Sequence, residues 1–108
     1  MPAVHGISSD ELHQLCIDDS IVLIDVREIH EFEEERIPGA VNLPLSSLSK
    51  EAIAEIAGDK EVVFQCRSGY RSYLVAKEYY NGKLPQKHLD GGILAWSSSG
   101  KATLDKAI

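Results

Sequence analysis

The 108-residue sequence predicts an α/β fold with a mainly parallel sheet flanked by helices on both faces. Three observations point there. Ile21-Val22-Leu23-Ile24-Asp25-Val26 is a continuous, largely β-branched apolar run, the pattern of a strand buried on both faces of a parallel sheet. Glu61-Val62-Val63-Phe64-Gln65 is a second β-branched run of strand length. Around these runs lie stretches with apolar residues at three- and four-residue spacing, so strands alternate with helices. Right-handed crossovers then bring the C-terminal ends of the strands, with Asp25 and Cys66, to one side.

Taken in order, Ser8-Ser9-Asp10-Glu11 fits a capping box, and Leu12, Leu15 and Cys16 recur on one face, predicting a helix over about 9–16. Cys16 lies on that apolar stripe with no basic neighbour and reads as a small core residue. Asp25 interrupts the first strand near its end. A buried carboxylate must be hydrogen-bonded or paired, so a tie to neighbouring backbone N–H groups is expected there rather than direct chemistry. The charge-dense stretch from Arg27 to Arg36 predicts a short surface helix stopped before Pro38-Gly39, with Glu33-Glu34-Glu35 as a solvated face. Val41-Asn42-Leu43 reads as a short strand limited by Pro44, and Leu48 to Ala57 as a helix with Ser49 as cap and Gly58 as stop. A further helix spans Ser72 to Tyr80 and ends at Asn81-Gly82. Lys87-His88-Leu89 is a last short strand, and Asp90-Gly91-Gly92 turns into Ile93-Leu94-Ala95-Trp96.

A hydrophobic content of 44% in a chain of this length suits one domain over 1–108, with a core over about 8–97. The polar residues 98–108 predict a loosely held tail with at most one helical turn. A net charge of −6 argues against a nucleic-acid or anionic-membrane surface, both of which need clustered basic residues. Two cysteines make no disulfide framework, and their separation fits no zinc site, so a reducing, cytoplasmic setting without metal or cofactor is expected. The longest apolar run, Ile21 to Ile24, is too short for a membrane span, and no signal peptide is expected.

The chemistry gathers in Cys66-Arg67-Ser68-Gly69-Tyr70-Arg71-Ser72, between a strand and a helix. The helix turns its unpaired N–H groups and positive dipole end toward the loop. Arg67 and Arg71 add positive charge, and Gly69 permits the φ > 0 geometry of an anion-binding nest. Such surroundings lower a thiol from about 8.5 into the range of roughly 3.5–7.5 found for activated cysteines. Cys66 is therefore the candidate nucleophile. An inert buried cysteine is the plainer alternative, but it has no use for the flanking arginines and glycine. Because the protein is acidic overall, the arginine pair is a local site suited to a small anion.

Asp25-Val26-Arg27-Glu28, Glu31-Phe32, Ile37-Pro38-Gly39-Ala40, the Cys66-to-Arg71 loop and Leu89-Asp90-Gly91-Gly92-Ile93-Leu94-Ala95-Trp96 stand in series. In order and spacing they resemble single-domain rhodaneses from Ser8 to Trp96. The resemblance implies a five-stranded parallel sheet and a ping-pong sulfur transfer. Cys66 takes the outer sulfur of an anionic donor such as thiosulfate as a persulfide, and a thiophilic acceptor, cyanide or a thiol including a protein thiol, removes it. Carried over by position, Arg71 braces the loop, Asp25 helps to hold it, and Arg27 and Glu31 form a structural ion pair. Arg67 either meets the donor's oxygens or is merely solvated. Tyr70 either shapes the mouth or covers the loop, and Ser68 and Ser72 either bond the sulfur or cap the helix, capping being favoured for Ser72. One departure is Glu35-Arg36, where many relatives have Gly-His; it touches a structural contact only. His5, His13, His30 and His88 are scattered, and none has a spacing that nominates it as base or ligand.

Two other functions compete. Phosphatases of this fold have five residues between cysteine and arginine, whereas this loop has four, Arg67-Ser68-Gly69-Tyr70, which suits a sulfur atom better than a phosphoryl group. A persulfide carrier acting between protein partners would use the same cysteine.

Overall fold

A computed structural model of the chain describes residues 2–105. Its two long apolar runs form strands because each has two faces to bury. In β2 (Ile21–Asp25), Ile21 and Leu23 point into one core while Val22 and Ile24 point into the other. In β5 (Glu61–Gln65), Val63 faces the first core, and Val62 and Phe64 face the second. These two strands pair in parallel along their full length, from Ile21 opposite Glu61 to Asp25 opposite Gln65. Two-residue β4 (Val41–Asn42) extends the sheet beyond β2, and β6 (Gln86–Leu89) lies on the other side of β5. A strand that the sequence pattern did not flag, β1 (Val4–Ile7), completes the sheet against β6. It is four residues long and interrupted by His5 and Gly6, so no apolar run advertises it. The strand order is β1-β6-β5-β2-β4, all parallel, as the predicted five-stranded α/β fold requires.

Helices cover both faces. On the first, α1 (Ser9–Ile17) contributes Leu12 and α5 (Gly92–Ser98) contributes Ile93 and Trp96, with Leu15 and Cys16 packed against them. On the second, α3 (Lys50–Ala57) brings Ala52, Ile53 and Ile56, and α4 (Tyr70–Glu78) brings Val75 and Ala76. The α1 capping box is present, with Ser8 Oγ accepting the Glu11 N–H at 3.1 Å and Glu11 Oε1 accepting the Ser8 N–H at 3.3 Å. Ser49 caps α3 and Gly58 ends it.

Three expectations are corrected at the edges. The charged stretch is helical only over α2 (Ile29–Glu34), because Arg27 is drawn away by Asp25 and Glu35–Arg36 form β3. The partner of β3 is β7 (Leu104–Asp105), antiparallel, so this part of the tail is a strand rather than a loose end or a helical turn. Trp96 Nε1 also ties the tail, donating to Ala102 O at 2.8 Å. Residues 106–108 of the expected tail lie outside the described residues. Finally, α4 begins at Tyr70 and ends at Glu78, because Gly69, at φ +105°, starts the helix before Ser72. Among the described residues no helix is long and apolar enough to cross a membrane.

Candidate active site

Cys66 follows β5 directly and is almost fully enclosed, with 1% of its surface exposed. Its Sγ sits at the N-terminus of α4, where the Gly69 N–H donates to it at 3.1 Å and the Ser72 N–H at 3.4 Å. Helix starts leave such N–H groups without intrahelical partners, and an anionic sulfur satisfies them while meeting the positive end of the helix dipole. Two backbone N–H groups thus point at the Cys66 sulfur.

The loop's carbonyls are pulled outward by neighbouring elements, which turns its N–H groups inward. Cys66 O accepts the Ile93 N–H at 3.0 Å and Gln65 Nε2 at 2.7 Å, and Arg67 O accepts the Leu94 N–H at 3.1 Å. The two backbone donors, Ile93 and Leu94, belong to the first turn of α5, so two helix starts converge on one loop. That approach explains Gly92: a Cβ there would lie 2.3 Å from Arg67 O and 2.5 Å from Cys66 O. No side chain fits, and φ of +60° favours glycine independently.

Arg71 pairs with Glu31 of α2, with guanidinium–carboxylate contacts of 2.8 and 3.1 Å. This overturns the expected Arg27–Glu31 pair. Arg27 precedes α2, so four-residue helical spacing does not bring it beside Glu31. Its guanidinium instead folds back on Asp25 at 2.8–3.1 Å, and its backbone N–H donates to Asp25 Oδ1 at 2.9 Å. The buried Asp25 is tied to backbone as the strand pattern predicts, yet it reaches Arg27 rather than the Cys66 loop. Arg27 Nη2 also donates to Glu35 O at 2.6 Å, so the pair joins β2 to β3. Both residues hold the frame around the site, not the sulfur.

The Arg71 bidentate pair holds the Glu31 carboxyl at about 2, well below its ordinary 4.5. Arg71 is raised in turn, first by Glu31 and to a smaller extent by charge on Cys66 and Asp25. Arg67 and Ser68 are exposed, and Tyr70 stands 70% exposed at the loop's rim.

Ser72 is not the helix cap. Gly69 holds that position, and Ser72 Oγ lies inside, 3.5 Å from Cys66 Sγ, 3.2 Å from Gly69 O and 2.9 Å from His88 Nδ1. His88 belongs to no motif and has no spacing that nominates it, so the sequence alone does not point to it. A usable signal was strand alternation: His88 pairs with Phe64, two residues before Cys66, and so shares the sulfur's side of the sheet.

Comparison with known proteins agrees with the fold. A sulfurtransferase from Allochromatium vinosum is 36% identical over 102 residues, covering 90% of this chain and 92% of its own. The Synechocystis protein slr1261 is 36% identical over 91% of this chain, which spans 55% of that protein's length. Among solved structures, thiosulfate sulfurtransferase from Pseudomonas aeruginosa superposes with a TM-score of 0.86 over 96% of this chain and 21% of its own, at 23% identity, a likeness of fold. The family model described as the rhodanese-like domain matches residues 8–99, and the chain therefore belongs to that family.

Proposed function

We propose that the protein is a sulfurtransferase that carries a sulfane sulfur on Cys66. The carrying observation is the Cys66 sulfur at the start of α4, receiving two backbone N–H groups, with arginines at 67 and 71. The Cys66 thiolate attacks the outer sulfur of an anionic donor such as thiosulfate. A new S–S bond forms, the donor's S–S bond breaks, and sulfite leaves with the bonding pair, so charge and electrons balance. The inward N–H groups stabilise the resulting anion without reorganising, as preorganised donors do in acyl-transfer sites. Cyanide or a thiolate then attacks the outer sulfur and restores the Cys66 thiolate. Arg67, exposed at the rim, meets the donor's oxygens, and Tyr70 shapes the mouth through which the acceptor reaches the sulfur. Both cysteines are free, consistent with work in a reducing cytoplasm. The name of the Allochromatium relative supports sulfur transfer as the reaction class.

The test is thiocyanate formation from thiosulfate and cyanide by the purified chain. Turnover that vanishes in Cys66→Ser is expected. Rapid hydrolysis of an aryl phosphate, lost in the same variant, would overturn the reading in favour of a phosphatase, and loading by a protein desulfurase with sluggish thiosulfate turnover would indicate a carrier.

A further inference from the structure

Beside the sulfur lies a chain of side chains that the transfer described above leaves unused. Ser72 Oγ is 3.5 Å from Cys66 Sγ and 2.9 Å from His88 Nδ1, while His88 Nε2 is 3.3 Å from Asp90 Oδ1. Ser72 and His88 are buried and Asp90 is exposed, so the chain runs from the enclosed sulfur to the surface. Its placement follows from the sheet. His88 stands on β6 between Phe64 of β5 and Gly6 of β1. Gly6 makes room: a Cβ at that position would lie 2.2 Å from Asp90 Oδ1, so the carboxylate occupies space that any larger residue would fill. Tyr73 of α4 packs edge-on to the imidazole at 5.9 Å between ring centroids.

A relay along these side chains uses the tautomer in which Nε2 of His88 carries the proton, because that nitrogen faces the acceptor-only Asp90 carboxylate at 3.3 Å, and Nδ1 is then bare. Ser72 Oγ has two acceptors within reach of its one proton, Gly69 O at 3.2 Å and His88 Nδ1 at 2.9 Å, and the relay runs through the nearer, with Ser72 Oγ facing the Cys66 thiol as an acceptor. Asp90 and Cys66 are the titratable groups in line with the ring; Gly6 and Phe64 bring no charge, and Tyr73 presents a ring edge. On the opposite side of β6, Lys87 is paired with Glu61.

We propose that Ser72, His88 and Asp90 form a proton relay that deprotonates the Cys66 thiol and then holds a hydroxyl donor on the anion. The S–H bond breaks with its electron pair staying on sulfur, and the proton passes to Ser72 Oγ. Ser72 gives its own proton to His88 Nδ1. One proton has moved, no electron has been transferred, and a thiolate–imidazolium pair remains beside Asp90. The imidazolium Nδ1–H then donates to Ser72 Oγ, which turns the hydroxyl hydrogen toward sulfur as a third donor beside the two N–H groups. Burial pushes the His88 imidazole below its usual range, and Asp90 pulls it partly back, so at neutral pH it is uncharged and able to accept. Ser72 touches the reacting sulfur and is catalytic. His88 and Asp90 act through it as positioning residues.

The relay rests on the reading of Cys66 as a nucleophile, and its test is alkylation by iodoacetamide, which needs the thiolate but no sulfur donor. His88→Asn retains an acceptor near the Nδ1 position without a titratable proton. We expect this variant to keep its melting temperature within a few degrees and to alkylate about tenfold more slowly at pH 7, below the 10²-fold lower end for a directly acting acid–base group. An inflection in the parent's rate–pH profile should follow the imidazole titration and vanish in the variant. Ser72→Ala should show the same loss, with none further in the double variant. Gly6→Ala should displace Asp90 and move the His88 titration to still lower pH. Nitrogen-15 NMR of the unaltered full chain supplies a measurement free of mutation. The Nε2–H tautomer at neutral pH is expected, and an Nδ1–H tautomer overturns the relay even if His88→Asn fails to fold. Equal alkylation rates and profiles in parent and variant also overturn it. A parent that loads sulfur from thiosulfate alongside an unimpaired His88→Asn separates failure of the relay from failure of the transfer reading; a His88-dependent alkylation profile without sulfur loading shows the reverse.

Discussion

Glu31 shows how one residue links the site to pH. Its carboxyl falls from 4.5 to about 2 because Arg71 binds it when folded. A value lowered on folding gives stability that is fully present above 4.5 and is lost as pH falls through about 2. Both side chains are partly open to solvent, at 30% and 21% for Arg71 and Glu31, so screening keeps the contribution to about 1 kcal/mol or less. Urea unfolding between about pH 5 and pH 2 should therefore show the parent losing more stability than Glu31→Gln. Equal acid sensitivity would mean that the pair contributes nothing. At neutral pH the same variant frees Arg71 and should slow thiocyanate formation by roughly tenfold, equivalent to about 1.4 kcal/mol.

At the scale of elements, the docking of α5 on the Cys66 loop decides whether the sulfur meets N–H groups or carbonyls. Gly92→Ala puts a methyl group within 2.3–2.5 Å of three backbone atoms that cannot swing away as a flexible side chain would. The loop must shift, and the cradle opens by tenths of an ångström or more. We expect kcat for thiocyanate formation to fall at least about tenfold, since small misplacements of reacting groups cost up to 10²-fold. A fully active Gly92→Ala would show that α5 does not set the loop. This element-level arrangement was only partly legible in the sequence. The Cys66 loop could be read because strand, cysteine, arginines and glycine are contiguous. The Glu31–Arg71 pair spans 40 residues and the Ser72–His88 contact 16, so each depends on which strands become neighbours. The family resemblance, carried over by position, pointed to Arg27–Glu31, whereas Arg27 folds back on the buried Asp25. The short β1 was likewise unreadable, because its pairing with β6, not an apolar run, makes it a strand.

Over the whole molecule, the buried Asp25–Arg27 pair fastens β2 to β3 and, through β3, to the β7 segment of the tail. Asn42 Nδ2 adds bonds to Asp25 O and Arg27 O, each at 3.0 Å, so β4 shares the same junction. Breaking a buried pair by removing one partner leaves an uncompensated charge and costs about 3–5 kcal/mol. Asp25→Ala should accordingly lower the melting temperature by roughly 12 °C or more in a domain of this size. A shift of a few degrees would show that water or another group takes over the arginine. The parallel sheet itself was legible because its two central strands are buried on both faces and carry continuous apolar runs. The sheet delivers Cys66 to the start of α4, where the transferred sulfur is expected to sit. Intact mass after thiosulfate treatment measures this directly: the parent should gain one sulfur atom and Cys66→Ser none. No gain in the parent with thiosulfate or any other persulfide donor, or an equal gain in the variant, would contradict it.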